Sequence, residues 1–190
     1  MIWRSIVSIS AVAALGLFAL TAGHSQEGQP KQKGGQPKEQ AAPPKPLKEA
    51  LVGAWRLLIV DAVNPDRSQA PLMGPNPAGT LIFAADGHYS SQIIRTNNRV
   101  KFASNDRMKG TPDENKAAIQ GIISHFGTWT VDEGSKTITF RIEASSFPNW
   151  DETVQKRTIT GYNQYDVLVY TNAMPSTGTL PVMVAWKWIP

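Results

Sequence analysis

The 190-residue sequence predicts an all-β fold, an eight-stranded antiparallel up-and-down barrel with one short inserted helix. Three observations carry that prediction. Runs of alternating apolar and polar residues recur at hairpin spacing from residue 51 onward. Asp86-Gly87 and Glu133-Gly134 supply turn residues between such runs. Gly53-Ala54-Trp55 opens the first run, with a glycine that lets the chain bend closely and an indole able to close one barrel end. A β-sandwich accommodates the same strand count, but the signature residues of antibody-like sandwiches are missing.

The chain ahead of that domain divides in two. Residues 1–25 read as an export signal: Arg4 is the positive flank, 6–20 is uncharged and apolar or small, and small residues at 21–25 suit cleavage after Gly23 or Ser25. The apolar run is short for a span, which takes about 20 residues. An uncleaved anchor is the rival reading. The expectation is a periplasmic or secreted protein with no stable transmembrane span after signal cleavage. Residues 26–46 are dominated by Gln, Gly, Lys and Pro and bury too little apolar surface to offset their ordering entropy, so they read as a disordered linker. Residues 47–190 then form one domain large enough for a real core.

The charge belongs mostly to the leader. Of the net +4, Arg4 supplies one, and the linker supplies two through Lys31, Lys33, Lys38 and Lys45 against Glu27 and Glu39. The domain keeps +1 and so lacks the basic surface that a nucleic-acid partner needs. The sequence has no cysteine, which excludes disulfides, thiolate metal sites and a lipidated N-terminal cysteine.

The domain's elements follow in order. The first strand carries Leu57, Ile59 and Ala62 and ends before Asn64-Pro65-Asp66. A proline-rich loop, 71–77, leads to a strand at 79–83, and Asp86-Gly87 turns it into another at 88–95. The inserted helix begins with Thr111 as cap, Pro112 in the first position and Glu114 three residues after the cap, and Gly121 or Gly127 marks the return to extended chain. Strands at 123–131 and 137–144 form a hairpin, 146–150 breaks the pattern as a loop, and runs at 153–162, 167–171 and 179–188 complete the set.

The chain resembles the lipocalin-like domain found in many bacterial and some fungal proteins, within the wider calycin group. The resemblance rests on four pieces in order: Leu51-Val52-Gly53-Ala54-Trp55-Arg56-Leu57; residues 74–83 with Asp86-Gly87; Phe126-Gly127-Thr128-Trp129-Thr130-Val131-Asp132; and Phe147-Pro148-Asn149-Trp150. It covers nearly everything from residue 47 onward. It implies a small barrel that takes up an apolar or amphipathic small molecule. Typical lipocalins carry an arginine near the last strand that packs across the opening tryptophan. The counterpart here is Lys187, between Trp186 and Trp188.

Strand alternation puts Tyr89, Ser91, Ile93 and Arg95 on one face of their strand and His125, Gly127 and Trp129 on one face of theirs. Thr139, Arg141 and Glu143 share a face, as do Gln155, Arg157 and Ile159. If these mixed faces point inward, Arg95 and Arg157 grip a carboxylate or enolate bidentately, and His125 and Glu143 move protons as candidate catalytic residues. If the apolar faces fill the barrel instead, the same residues are solvated outside, and Arg157 with Glu143 forms a structural ion pair. Asn149 and Trp150 sit on a rigid loop suited to a pocket rim, although Trp150 could equally plug the barrel end.

The candidate ligand-binding residues are thus Tyr89, Arg95, His125, Glu143, Asn149, Trp150 and Arg157, and no cofactor or metal is expected. No His/Asp/Glu cluster has metal-ligand spacing, and no nucleophile elbow or phosphate loop occurs. The expected function is binding of a small hydrophobic or amphipathic molecule. A cofactor-independent isomerase or cyclase using the same cavity, or a structural envelope protein, are the alternatives.

Overall fold

Strand β1 (Gly53–Val63) pairs with both the third strand and the last, and that double pairing closes a sheet into a barrel. The computed structural model describes residues 45–163, 166–173 and 178–190. The expected export signal and all but the last two residues of the expected linker lie outside them. The remaining strands are β2 (Gln69–Pro71), β3 (Ala78–Phe83), β4 (His88–Ile94), β5 (Ile122–Asp132), β6 (Thr137–Ser145), β7 (Val154–Asn163), β8 (Val167–Asn172) and β9 (Val182–Ile189). Their order is β2-β1-β3-β4-β5-β6-β7-β8-β9, antiparallel throughout, with β1 also joined to β9. Eight of these make the wall. Three-residue β2 only flanks the end of β1, at Asp61↔Pro71, where the sequence had suggested a plain loop.

Two helices accompany the barrel. Helix α2 (Pro112–Gln120) starts as its sequence dictates. The Thr111 hydroxyl accepts from the Glu114 amide at 3.3 Å, the Glu114 carboxylate accepts from the Thr111 amide at 2.8 Å, and Gly121 ends the helix. Helix α1 (Leu47–Leu51) has no such signal and was not anticipated. It sits at the barrel end because its Leu51 is fully buried, and the Trp55 indole donates to the Leu51 carbonyl at 2.9 Å.

That end is where the apolar core concentrates. Trp55, Trp129, Trp186, Phe83 and Phe140 are all essentially without solvent exposure. The Phe83 ring lies tilted against Trp129 at 4.4 Å and stacks on Phe140 at 5.9 Å. Gly53 explains itself here: its φ is +135°, and a Cβ would stand 2.6 Å from the Trp188 indole nitrogen. Lys187 lies in register with Arg56, one residue beyond the Trp55↔Trp188 pair.

Bulges decide which residues face inward. β1 gains an extra residue between Leu57 and Ile59, so the inward set changes from Trp55 and Leu57 to Val60 and Ala62. Ile59 is only half-buried beside inward Val60. β6 has its extra residue at Glu143, between the pairs Phe126↔Ala144 and Gly127↔Ile142. β7 has one at Thr160, between the pairs Ile159↔Tyr170 and Gly161↔Val169.

Candidate ligand-binding site

The mixed faces of β4, β5 and β7 do point inward. Tyr89, Ser91 and Ile93 from β4, His125 from β5 and Arg157 from β7 are all buried. β8 adds Tyr170 and Asn172, which alternate inward with Leu168. Among the described residues, the buried polar or charged side chains outside the aromatics are Ser91, His125, Arg157 and Asn172. All four line one internal hollow of about 50 Å³. Four polar groups thus converge on one space in an otherwise apolar barrel, where burying them costs free energy that hydrogen bonds must offset.

The contacts within this cluster are specific. Ser91 and His125 are register partners on adjacent strands. The Tyr89 hydroxyl and His125 Nδ1 share a hydrogen bond of 2.8 Å. Phe140 underlies them, with its ring 4.6 Å from Tyr89 and 5.9 Å from His125, and the Arg157 guanidinium sits 5.8 Å over the same ring. Arg157 donates to the Gln155 side-chain oxygen and to the Lys156 carbonyl. Among the described residues no carboxylate pairs with it. The ion pairs found among the described residues are His88–Asp86 and Lys109–Asp106, both exposed.

Burial governs the electrostatics. It pushes the His125 imidazole down to about 3, with the positive Arg157 adding to the effect, so the ring is neutral at physiological pH. Burial raises the Tyr89 and Tyr170 hydroxyls, which Arg157 partly opposes. The same desolvation lowers Arg157, while the two phenols work against that shift. The site therefore presents one cation, one neutral imidazole and two protonated phenols.

Above this hollow opens a larger cleft of about 530 Å³, lined by Met73, Ile119, Ile122 and Phe147 together with Arg95. Leu72, Ile123 and Trp150 line both spaces and so form the boundary between them. The Trp150 ring also meets His125 edge-on at 5.8 Å. Its position is held by the short 3-10 turn Pro148–Trp150. There the Trp150 amide donates to the Phe147 carbonyl at 2.9 Å, and the Thr153 hydroxyl donates to the Trp150 carbonyl at 2.6 Å. Trp150 is thus a rim residue of the cavity rather than a plug of the closed end.

The expected site residues divide as follows. His125 and Arg157 line the inner hollow, Tyr89 joins them through its hydrogen bond to His125, Arg95 lines the cleft and Trp150 lines both spaces. Arg95 is half-buried there, and its Nη2 donates to the Leu72 carbonyl at 3.3 Å. Glu143 is a correction: it is exposed on the outer face with Arg141, because in β6 the apolar face of Ile138, Phe140 and Ile142 is the one that fills the barrel. It neither faces the cavity nor pairs with Arg157. Asn149 is likewise exposed, on the outer side of the turn that aims Trp150 inward. Tyr170 and Asn172 were missed, although alternation with Leu168 in their strand marks both.

The model of the lipocalin-like domain family matches residues 52–187. The chain belongs to that family. No curated protein matches it. Among solved structures, this lipocalin-like barrel is similar to a redesigned β-barrel at 14% identity, covering 76% of this chain and 96% of that one, with a TM-score of 0.40. It is also similar to an asparagine-to-glutamine mutant of the fluorescent protein UnaG, again at 14% identity, covering 74% of this chain and 96% of that one, with a TM-score of 0.34.

Proposed function

We propose that this lipocalin-like barrel is an exported protein that binds a small amphipathic molecule, with its apolar body in the outer cleft and a polar end in the inner hollow. The observation that carries the reading is the placement of all four buried polar residues on one hollow that shares its boundary with an apolar cleft. A cleft of this size falls in the range of small-molecule sites, whereas the hollow has room on the scale of one or two waters or a single polar group. Apolar burial in the cleft supplies affinity at about 25 cal/mol per Å² as an upper guide, and the hollow supplies orientation. Export rests on residues 1–25 alone.

The enzymatic alternative is narrower than the sequence suggested. Glu143 is outside, so proton transfer falls to Tyr89 and His125, and an imidazole pushed down to about 3 is a weak base at neutral pH. Two measurements test binding. Native mass spectrometry of the protein purified from its own host should show a co-purifying small molecule. Titration with the neutral apolar dye Nile red should saturate in the unaltered protein and weaken in Trp150→Ala. A protein that carries no molecule and takes up no dye is not a binder.

A further inference from the structure

Resting on that reading, we infer that the polar end of the ligand is a single acid group, a carboxylate or its equivalent, seated against Arg157. Arg157 is 6% exposed, lines the inner hollow and has no carboxylate partner among the described residues. A buried guanidinium without a counter-ion is costly, and removing the mismatch takes a negative charge brought in from outside. The hollow's volume of about 50 Å³ admits one such group and excludes the rest of the molecule. Its remaining polar lining favours an anion as well. Ser91 and Tyr170 carry hydroxyls, Asn172 carries an amide, and the imidazole facing them is uncharged, so no anionic side chain repels the ligand. Arg157 offers a planar fork suited to two carboxylate oxygens.

A second, independent observation lies outside the hollow. Between β4 and α2, residues 95–109 contain Arg95, Arg99, Lys101, Arg107 and Lys109 against the single acid Asp106, a net +4. The domain as a whole carries +1, so its remainder is negative. This basic segment adjoins the mouth, because Arg95 lines the outer cleft and also shares a surface hollow with Arg99 and Phe102. Positive charge at Arg95 and Arg99, with a buried arginine that has no carboxylate partner among the described residues, favours an anion entering the barrel.

The test uses three ligands with the same ten-carbon body: decanoate, 1-decanol and decylamine, titrated calorimetrically into the full chain at pH 7.5. The expected ranking is decanoate tightest by about tenfold or more over decanol, with decylamine weakest. In Arg157→Met the preference for decanoate over decanol should vanish while decanol binding is kept. Equal affinity for acid and alcohol in the unaltered protein overturns the acid-group assignment and leaves the binding reading standing. So does a preference that survives Arg157→Met. Failure of all three ligands to bind overturns the binding reading itself. If Arg157→Met does not fold, the ranking in the unaltered protein decides.

Discussion

Tyr89 and His125 meet across adjacent strands, hydroxyl to Nδ1 at 2.8 Å, with the Arg157 guanidinium on the same side of the barrel. The pairing satisfies a neutral imidazole in a place where a protonated one is expelled by burial and by the neighbouring cation. The consequence for stability has a definite sign. The folded state protonates His125 near 3 and the unfolded chain near 6.5, so between those values the unfolded state binds more protons. Stability therefore falls as pH drops below about 6.5, by about 1.4 kcal/mol per pH unit for this one group. The other groups facing His125 are Tyr89, Arg157 and Tyr170, and none of them titrates in that window. Urea unfolding from pH 6.5 to 4.5 should show the slope, and His125→Gln, which keeps a partner for the Tyr89 hydroxyl, should flatten it. The exposed carboxylates Asp66, Asp86, Glu114 and Asp132 are held low by local hydrogen bonds and lose that support only at more acidic pH.

Arg157 is expected to matter for binding and not for folding. A buried charge without a counter-ion is a net cost that an apolar side chain of similar length avoids. Arg157→Met forfeits the hydrogen bonds to Gln155 and to the Lys156 carbonyl, yet removes a much larger desolvation penalty. Its midpoint in thermal unfolding should equal or exceed that of the unaltered protein. A loss of more than about 2 kcal/mol would mean that Arg157 is a satisfied structural residue.

Gly127 sits opposite the β6 bulge at Glu143. Its φ is +152°, and a Cβ would stand 2.2 Å from the Arg141 carbonyl oxygen and 2.8 Å from the Glu143 amide nitrogen. Both are backbone atoms of the paired strand and cannot swing aside. Gly127→Ala should cost at least about 2 kcal/mol, read as a lower urea midpoint at unchanged slope. Glu143→Gln, on the solvent side of the same bulge, should stay within about 0.5 kcal/mol and leave ligand affinity unchanged.

The contrast between those two residues shows what was legible in the sequence. Alternation identified the strand faces, Asp86-Gly87 placed a hairpin, and the Thr111–Glu114 capping box placed α2, because each is local chemistry. Tyr89, His125 and Arg157 were each found on the right face of their strands for the same reason. Alternation carries no label for inside, however, and a bulge changes the parity within a strand. Glu143 shares its face with Thr139 and Arg141, and in β6 the opposite face, Ile138, Phe140 and Ile142, is the one turned inward. Tyr170 and Asn172 had the right period, but the convergence of β8 with β4, β5 and β7 on one hollow is a property of barrel closure. The 95–109 charge cluster was readable as composition, and only its place at the mouth needed the fold.

That cluster yields a kinetic prediction separate from affinity. Arg99, Lys101 and Arg107 are exposed, and none of them lines the inner hollow. They act on a charged ligand at a distance, before contact, where attraction raises the encounter rate and is screened by salt. Neutralising all three to Gln should slow decanoate association severalfold at low ionic strength and leave dissociation nearly unchanged. The difference from the unaltered protein should fade at 0.5 M salt, where the Debye length is only about 4 Å. Decanol, which has no charge to steer, serves as the internal control, and its association should be the same in both proteins. Stopped-flow measurement of intrinsic tryptophan fluorescence suits the comparison, since Trp150 lines both spaces the ligand enters. Equal slowing of acid and alcohol would trace the effect to a distorted mouth rather than to charge.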